Sequence, residues 1–336
     1  MEQHDSTAPG TEASTGTPLL DVRGLKKYFS VKNGVLPSSK DYVYAVDDVS
    51  FHVETGETLG VVGESGCGKS TVGRTILRLI EPTAGKIIID NQDISAAPRA
   101  DLRSFRRQMQ IIFQDPYSSL NPRMTAGQIV GEPLRVHNIA NGSEIRDRVA
   151  DLFQRVGLRK DQINRYPHEF SGGQRQRIGI ARALALGPKL IIADEPVSAL
   201  DVSIQAQVIN LLMDLQDEFG IAFLFIAHDL SVVERLSHRV AVMYLGRIVE
   251  IADRKSLFTN PQHPYTQALL SAVPVPDPSR KKVQRTILKG DIPSPMSPPS
   301  GCLFHTRCPV ANASCKIDVP QLKEIAPGHQ VSCHLR

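Results

Sequence analysis

The sequence predicts an α/β fold around a mostly parallel sheet, with an antiparallel β part, an inserted helical subdomain and a small cysteine-rich C-terminal extension. Three observations predict it. Short apolar strands alternate with helical segments, a glycine-rich loop joins one such strand to a helix, and four of the five cysteines lie near the C-terminus. A chain of 336 residues can bury a sizeable core in one large domain or two.

The N-terminal segment and the overall composition exclude several classes of protein. Residues 1–18 are polar and lack the basic start and apolar core of a signal peptide, so we expect a disordered tail. The longest apolar run, 221–227, is far shorter than the roughly 20 residues of a membrane-spanning helix. A net charge of +4 is too small for a nucleic-acid footprint. The sequence therefore predicts a cytoplasmic protein that reaches a membrane only through a partner.

Strand and helix signals follow one another along the chain. Residues 19–30 and 44–57 alternate apolar and polar side chains, as half-exposed antiparallel strands do. The continuous apolar runs that predict buried strands are 58–63, 86–90, 109–113, 189–194, 221–228 and 239–245. Between them, about 115–180 carries mainly helical signal and predicts the inserted subdomain. Prolines concentrate between 274 and 299, which predicts an extended linker before the cysteines.

The glycine-rich loop, GESGCGKS at 63–70, matches the pattern G-x-x-x-x-G-K-[ST]. Its glycines let successive N–H groups surround a phosphate, and the helix that follows adds its positive N-terminal dipole. Lys69 is expected to reach the β- and γ-phosphates, and the Ser70 hydroxyl to bind Mg²⁺. The apolar strand before the loop and the helix after it argue against a chance match. The predicted ATP contacts here are Gly63, Ser65, Gly66, Cys67, Gly68, Lys69, Ser70 and Thr71, with Cys67 as a small filler and not a nucleophile.

A second acidic site follows the strand LIIAD, where Asp194 and Glu195 stand at the strand's C-terminal end. Asp194 is placed to hold Mg²⁺ and Glu195 to polarise an attacking water. Two merely solvated acids are the alternative, but the edge of the sheet is where nucleotides bind. The pair indicates hydrolysis rather than nucleotide binding alone.

The segment FSGGQRQR at 170–177 resembles the signature motif of ABC ATPases, and other motifs of that family occur in the same order around it. The resemblance implies a P-loop ABC ATPase fold for residues 19–255, with a RecA-like core. It implies that Tyr28 stacks on adenine, although Tyr42 and Tyr44 compete for that role. Gln114 would join Ser70 and Asp194 at Mg²⁺, and His228 would act with Glu195 in catalysis.

The signature itself opens a helix with free N–H groups and a hydroxyl, which is a second anion site. An isolated Ser-Gly-Gly would by default be only a helix cap. In the family, the signature instead grips the ATP bound to a second cassette paired head to tail. The residues that would contact the partner subunit's ATP are Ser171, Gly172, Gly173, Gln174 and Asp201.

Further segments, above all NPQHPYTQALLSAVP at 260–274, resemble the ATP-binding subunits of oligopeptide/dipeptide importers, whose relatives also carry nickel. The chain is most similar to the F-type subunit. This resemblance implies a heterodimer with a second ATPase subunit, two permeases and an extracellular substrate-binding protein at the cytoplasmic face of the membrane. A groove at Gln114 and 115–135 would receive a permease helix. The alternatives are an importer of nickel or another solute, a soluble ABC ATPase, an exporter half and a non-hydrolysing cassette.

The cysteines of the extension, 256–336, have the spacing C-x5-C-x6-C-x17-C at Cys302, Cys308, Cys315 and Cys333. In a reducing cytoplasm, four thiols in a segment with little apolar sequence indicate a metal that organises the segment. The residues leave zinc, an iron–sulfur cluster, disulfides and free thiols open. The resemblance favours a 4Fe-4S cluster, which some relatives hold there. Possible substitute ligands are His305, His329 and His334.

Overall fold

A computed structural model describes residues 17–31, 41–273, 288 and 290–336 of the chain. Most of the predicted tail, residues 1–16, lies outside the described residues, as does residue 289. The same holds for 32–40 and for the part of the predicted linker at 274–287. Among the helices of these described ranges there is no candidate for a membrane span.

The first sheet is antiparallel, as the alternating sequence predicted, and has the strand order β2-β1-β4-β5. β1 pairs along most of its length with β2, from Leu20 opposite Val53 to Val31 opposite Asp41. The segment predicted as a buried strand at 86–90 belongs to this sheet, where its strand is partly exposed. The strands are β1 Leu20–Val31, β2 Asp41–Val53, β4 Ala84–Ile89 and β5 Gln92–Asp93.

The second sheet forms the core of the fold and has eight strands among the described residues. Five of its strands run parallel, each close to a predicted apolar run: β3 Thr58–Val62, β6 Met109–Ile112, β7 Leu190–Asp194, β8 Ala222–Ile226 and β9 Arg239–Tyr244. Both faces of β7 are buried, with Ile191 and Ala193 in one apolar cluster and Leu190 and Ile192 in the other. Burial on both faces explains why these strands read as continuous apolar runs.

Helices surround this sheet and build the predicted insertion. The helices that flank the strands are α1 Lys69–Ile76, α2 Leu102–Gln108, α6 Val202–Phe219 and α7 Leu230–Leu236. The helical subdomain contains α3 Ala126–Val136, α4 Gly142–Arg155 and α5 Gly172–Leu184, with 3₁₀ turns at Lys160–Gln162 and Pro167–Glu169. A reciprocal capping box of Thr125 and Gln128 starts α3.

Three antiparallel strands that the sequence did not predict join the main sheet: β10 Arg247–Asp253 at the end of the predicted cassette, and β11 Lys323–Ala326 and β12 His329–Val331 in the C-terminal extension. β10 pairs with β9 on one side and with β12 on the other, and β11 forms the edge. The whole sheet therefore has the order β11-β12-β10-β9-β3-β8-β7-β6. The helices of this region are α8 Arg254–Thr259, α9 Pro264–Ser271 and α10 Ser314–Ile317. The extension therefore continues the sheet of the core, and its boundary at 255/256 remains a prediction.

Phe304 anchors the cysteine-rich segment in the main core. Its ring is 1% exposed. Its centroid lies 5.3 Å from that of Tyr244, 5.4 Å from that of Tyr265 and 5.6 Å from that of His263. The expectation that a metal organises this segment, because it has little apolar core of its own, is therefore incomplete. The segment also packs against apolar residues of β9 and α9.

Candidate active site

The phosphate loop lies at the C-terminal end of β3 and is packed tightly against neighbouring backbone. At Gly68, φ is +105°, and a Cβ there would come within 2.0 Å of the Ala45 carbonyl oxygen. At Gly63, a Cβ would lie 2.2 Å from the Met243 carbonyl oxygen. Only glycine fits at either position. The two glycines thus fix the loop between β2 and β9.

The Lys69 side chain folds back over the preceding residues of the phosphate loop. Its Nζ donates to the carbonyl oxygens of Gly63, at 2.8 Å, and Glu64, at 3.0 Å, and the residue is 4% exposed. Cys67 is also buried, with its sulfur 3.9 Å from the same Nζ. Burial raises the pKa of the Cys67 thiol. A buried neutral thiol is consistent with the predicted role of Cys67 as a filler.

Two of the three predicted Mg²⁺ ligands lie in direct contact. The Ser70 hydroxyl donates to Asp194 Oδ1 at 2.6 Å, and Asp194, at the end of β7, is 1% exposed. Arg74 Nη2 lies 3.5 Å from the other oxygen, Oδ2. A hydroxyl and a carboxylate oxygen on the loop side of the sheet suit Mg²⁺, which prefers oxygen ligands.

Glu195 lies in contact with two other residues of the predicted site. Its carboxylate Oε2 accepts a hydrogen bond from Gln114 Nε2 at 2.8 Å, and His228 Nδ1 lies 3.2 Å from the same oxygen. The Oε1 atom has no hydrogen-bond partner among the residues that the structure describes. Glu195 also has a φ of +47°, which is unusual for a residue with a side chain and typical of strained functional positions. One carboxylate oxygen is thus held while the other is available to water.

A cavity of about 490 Å³ lies in front of these groups. Predicted residues that line it are Ser65, Gly66, Gly68, Lys69, Ser70, Thr71, Gln114, Glu195 and His228. Three further lining residues, Val43, Ala45 and Pro295, were missed by sequence reasoning. Val43 and Ala45 belong to a strand with no nucleotide motif. Pro295 falls within the segment interpreted as a linker, yet its carbonyl oxygen accepts the Tyr44 N–H at 3.1 Å.

Tyr28 is not among the residues that line the cavity. Its hydroxyl donates to Asp47 Oδ1 at 2.5 Å, and its ring meets Tyr44 edge-on with a centroid separation of 4.8 Å. Asp47 is itself held by Arg247, with Nε at 2.8 Å and Nη2 at 2.6 Å from its Oδ2. Burial and the hydrogen bond to Asp47 raise the pKa of Tyr28. Adenine stacking by Tyr28 thus remains a prediction.

The signature residues lie away from this cavity and form a helix start. The Ser171 side chain accepts the Gln174 N–H, and the Gln174 side-chain oxygen accepts the Ser171 N–H at 3.0 Å. Gly173 allows close packing, because a Cβ there would come within 2.5 Å of Ile204 Cγ2, while Gly172 has more room. Ser171 and Asp201 are exposed. Their contact with a second subunit's ATP remains a prediction.

The four C-terminal cysteines share one neighbourhood without forming a metal site. Burial raises the pKa of the Cys302 thiol to about 11, and the nearby thiols of Cys315, Cys333 and Cys308 add to the shift. All four are free. Within the described residues, however, no group of three or more His, Cys, Asp or Glu side chains is arranged to hold a metal ion. The donor chemistry suits a soft metal, but the described residues show no ligand group for one, so the structure does not support the prediction of an iron–sulfur cluster or zinc.

The three histidines considered as substitute ligands are engaged elsewhere. His329 Nε2 lies 2.8 Å from Oε1 of the buried Glu250. His305 Nδ1 lies 2.9 Å from the Cys302 carbonyl oxygen, and His334 Nε2 lies 2.8 Å from the Asp318 carbonyl oxygen. Each of these contacts stabilises the local fold of the extension.

Two family models match the chain. The ABC transporter model covers residues 46–198, and the model of the oligopeptide/dipeptide transporter C-terminal region covers 249–315. The second match includes α8, α9 and three of the four cysteines. Cassette and extension are thus recognised separately.

Curated relatives match nearly the whole chain. The oligopeptide transport ATP-binding protein AppF of Bacillus subtilis is 56% identical over 328 residues, with 96% of this chain and 99% of the relative covered. The probable peptide ABC transporter ATP-binding protein y4tS of Sinorhizobium fredii is 55% identical over 318 residues, with 95% and 90% covered.

Solved structures share the cassette fold. A dimeric post-hydrolysis state of the ATP-binding cassette MJ0796, bound to ADP and Pi, has a TM-score of 0.62 at 30% identity and covers 70% of this chain and 98% of its own. CbiO1 of Clostridium perfringens, part of the transporter complex CbiONQ, has a TM-score of 0.62 at 28% identity, with 72% and 91% covered. With the motifs, the fold and the near full-length relatives in agreement, the chain belongs to the ATP-binding proteins of ABC transporters, in their oligopeptide/dipeptide group.

Proposed function

We propose that this chain hydrolyses ATP to power the uptake of peptides through a membrane ABC importer. The observation that carries the hydrolytic part is the Glu195 carboxylate, which Gln114 and His228 hold by one oxygen beside the phosphate-loop cavity. Peptide transport is supported by the similarity to AppF and y4tS, which are named as peptide-transport ATP-binding proteins, and by the family extension. Family membership thus supports the proposed substrate class, and the geometry of the site supports the proposed reaction.

The chemistry follows from the positions of the side chains. The loop N–H groups and Lys69 bind and orient the phosphates, and Mg²⁺, held by Ser70, Asp194 and Gln114, would neutralise charge on them. Glu195 Oε1 accepts a proton from the attacking water, while Gln114 and His228 fix the carboxylate through Oε2. The His228 side chain lines the cavity and is 57% exposed, and the family resemblance implies that it would also contact the γ-phosphate.

The test separates binding from hydrolysis. Glu195→Gln keeps the size and a hydrogen-bonding group but removes the base, so phosphate release should fall by roughly 10²- to 10⁴-fold. Affinity for a fluorescent ATP analogue should stay within a few-fold of the parent, whereas Lys69→Ala should weaken it strongly. Hydrolysis in Glu195→Gln above a tenth of the parental rate would contradict the assignment of the base.

The peptide substrate is tested in cells of the source organism. A strain without this chain should fail to take up labelled di- and oligopeptides, and the parental chain but not Glu195→Gln should restore uptake. Normal peptide uptake together with lost nickel uptake would instead favour the nickel alternative. Normal uptake of both would favour a non-transport ABC ATPase.

Partners and location belong to the same proposal. A second ATPase subunit would complete each ATP site with a signature motif, and two permeases with an extracellular binding protein would form the importer at the cytoplasmic face of the membrane. A groove in the helical subdomain, with a cavity volume of about 520 Å³, lies between α3 and α4 and is lined by Gly127, Gln128, Ile145 and Val149 among others. It overlaps the range predicted for permease contact, and cysteine cross-linking from Gln128 to the permeases tests it.

A metal at the four C-terminal cysteines is a separate proposal that rests on the family resemblance. Anaerobically purified protein and its Cys302→Ser, Cys308→Ser double variant should be compared by iron and zinc content and by absorption spectrum. Iron with a broad visible band that the double variant lacks would support a cluster. Metal-free, colourless protein would contradict it.

A further inference from the structure

The second residue of the phosphate loop, Glu64, is held from three sides. Its carbonyl oxygen accepts from Lys69 Nζ at 3.0 Å, and its N–H donates to the Tyr265 hydroxyl at 2.9 Å. Its carboxylate receives both Nη atoms of Arg307, at 2.7 and 3.0 Å. Tyr265 lies on α9 and Arg307 in the cysteine-rich segment, so two parts of the extension converge on one loop residue.

The Arg307 contact differs from an ordinary surface ion pair. The Arg307 side chain is 7% exposed and that of Glu64 is 23% exposed, and both guanidinium Nη groups engage the carboxylate in a fork. The hydrogen bonds to Glu64 raise the pKa of Arg307 further. The guanidinium carbon also lies 5.9 Å from the Tyr244 ring centroid. The Arg307–Glu64 ion pair therefore has a fixed orientation as well as opposite charges.

Glu64 carries a negative charge in the loop that must bind a highly anionic nucleotide. Its neighbours Ser65 and Gly66 line the cavity, but Glu64 does not. An unpaired carboxylate on a residue adjacent to the cavity lining would repel bound phosphates, since like charges in a partly desolvated site interact strongly. Arg307 both neutralises this charge and holds the side chain outside the cavity.

We propose that Arg307 is a positioning residue of the ATP site: the extension supplies the countercharge that keeps Glu64 away from the nucleotide phosphates. The proposal rests on the ATPase function above but concerns nucleotide affinity, which is measurable whether or not the chain hydrolyses ATP. The extension is accordingly a working part of the nucleotide site.

The test uses the full chain and MgADP or a fluorescent MgATP analogue. Arg307→Gln should weaken nucleotide binding about tenfold, the lower end of the loss seen when a residue that orients metal ligands is removed. KM for ATP should rise by the same factor while kcat changes less than threefold. Adding Glu64→Gln to Arg307→Gln should restore affinity to within threefold, because the unpaired carboxylate is then gone.

Further variants keep the result decisive. Arg307→Lys retains the charge and should bind nucleotide more tightly than Arg307→Gln, and Glu64→Gln alone should stay within threefold of the parent. The matched control is Arg148→Gln, which breaks an exposed pair of Arg148 with Glu144 in α4 and should leave affinity unchanged. Parental affinity in Arg307→Gln, or a double variant as weak as the single one, would overturn the proposal.

Failure of the two proposals can be told apart. A parent chain that binds nucleotide without hydrolysing it in the complete transporter would contradict the proposed function but leave the Arg307 affinities interpretable. The opposite result is a parent chain that hydrolyses ATP normally and an Arg307→Gln variant whose nucleotide affinity is unchanged but whose Cys302 and Cys308 thiols react faster. It would show that Arg307 only holds the cysteine-rich segment in place, and it would overturn the inference.

Discussion

Replacement of Phe304 by alanine should detach the cysteine-rich segment from the core. Phe304 is 1% exposed and packs among the rings of Tyr244, Tyr265 and His263. Loss of a fully buried phenylalanine side chain costs about 3–5 kcal/mol. Because Phe304 is the aromatic residue by which the segment packs into the core, we expect most of that cost to appear as local opening rather than global unfolding.

Thiol reactivity measures the opening directly. Cys302 and Cys308 are half-buried against the core, so we expect their reaction with Ellman's reagent to be slow in the packed segment and fast when it opens. A loss of about 3–5 kcal/mol corresponds to labelling that is faster by roughly 10²- to 10³-fold or more. Phe219→Ala is the matched control, because Phe219 is 46% exposed and contacts Arg155 only as a cation–π pair. Labelling of Phe304→Ala within threefold of the parent would refute the reasoning.

Three smaller perturbations test local interactions. Thr125→Ala removes the cap of α3 and should cost about 0.5–2 kcal/mol by thermal unfolding, whereas Asn141→Ala, at a cap without a side-chain bond, should cost less; equal losses would contradict the assignment. Burial lowers the pKa of His263 to about 3. Between pH 7.5 and 5.5 only the unfolded chain therefore gains a proton at this residue, and the free energy of unfolding should fall by about 1.4 kcal/mol. A His263→Asn variant whose free energy of unfolding has the same pH slope would show that His263 is not the cause. His329→Gln weakens the contact with the buried carboxylate of Glu250 and should cost about 1.5–3 kcal/mol in urea denaturation, and a change below 0.5 kcal/mol would show that the pair contributes little.

The sequence predicted the parallel core well because its strands are buried on both faces. The continuous apolar runs at 189–194 and 221–228 mark β7 and β8 to within a residue or two. The same physics misplaced 86–90, whose apolar residues form a strand of the antiparallel sheet with a partly exposed face. An apolar run reports burial, but it does not report which sheet a strand joins.

The strands of the extension escaped prediction because their signals are not local. β11 is exposed along its whole length and has no apolar face to mark it. β12 is three residues long and exists because β10 offers a free edge, where Glu250 pairs with Val331 and Ile251 with Gln330. Such strands are specified by their partners and not by their own composition.

The residues of the candidate site also differ in whether the sequence alone could predict them. Lys69, Glu195 and His228 stand in motifs that a single sequence exposes, and the structure places all three at the cavity. The pairing of Glu64 with Arg307 spans 243 positions, and neither residue belongs to a motif that requires the other. A pair of this kind becomes visible only when the fold brings both ends of the chain together.

The position of the extension constrains how it acts on the phosphate loop. β10 and β12 extend the sheet at β9, the strand whose carbonyl at Met243 packs against Gly63. Phe304 packs on Tyr244 at the end of the same strand, and Arg307 follows Phe304 by one turn of chain to reach Glu64. We therefore expect any displacement of the cysteine-rich segment to shift both Gly63, where the loop begins, and Glu64, its second residue. Since rigid packing transmits displacement instead of absorbing it, the state of the segment is coupled to the geometry that binds the nucleotide phosphates.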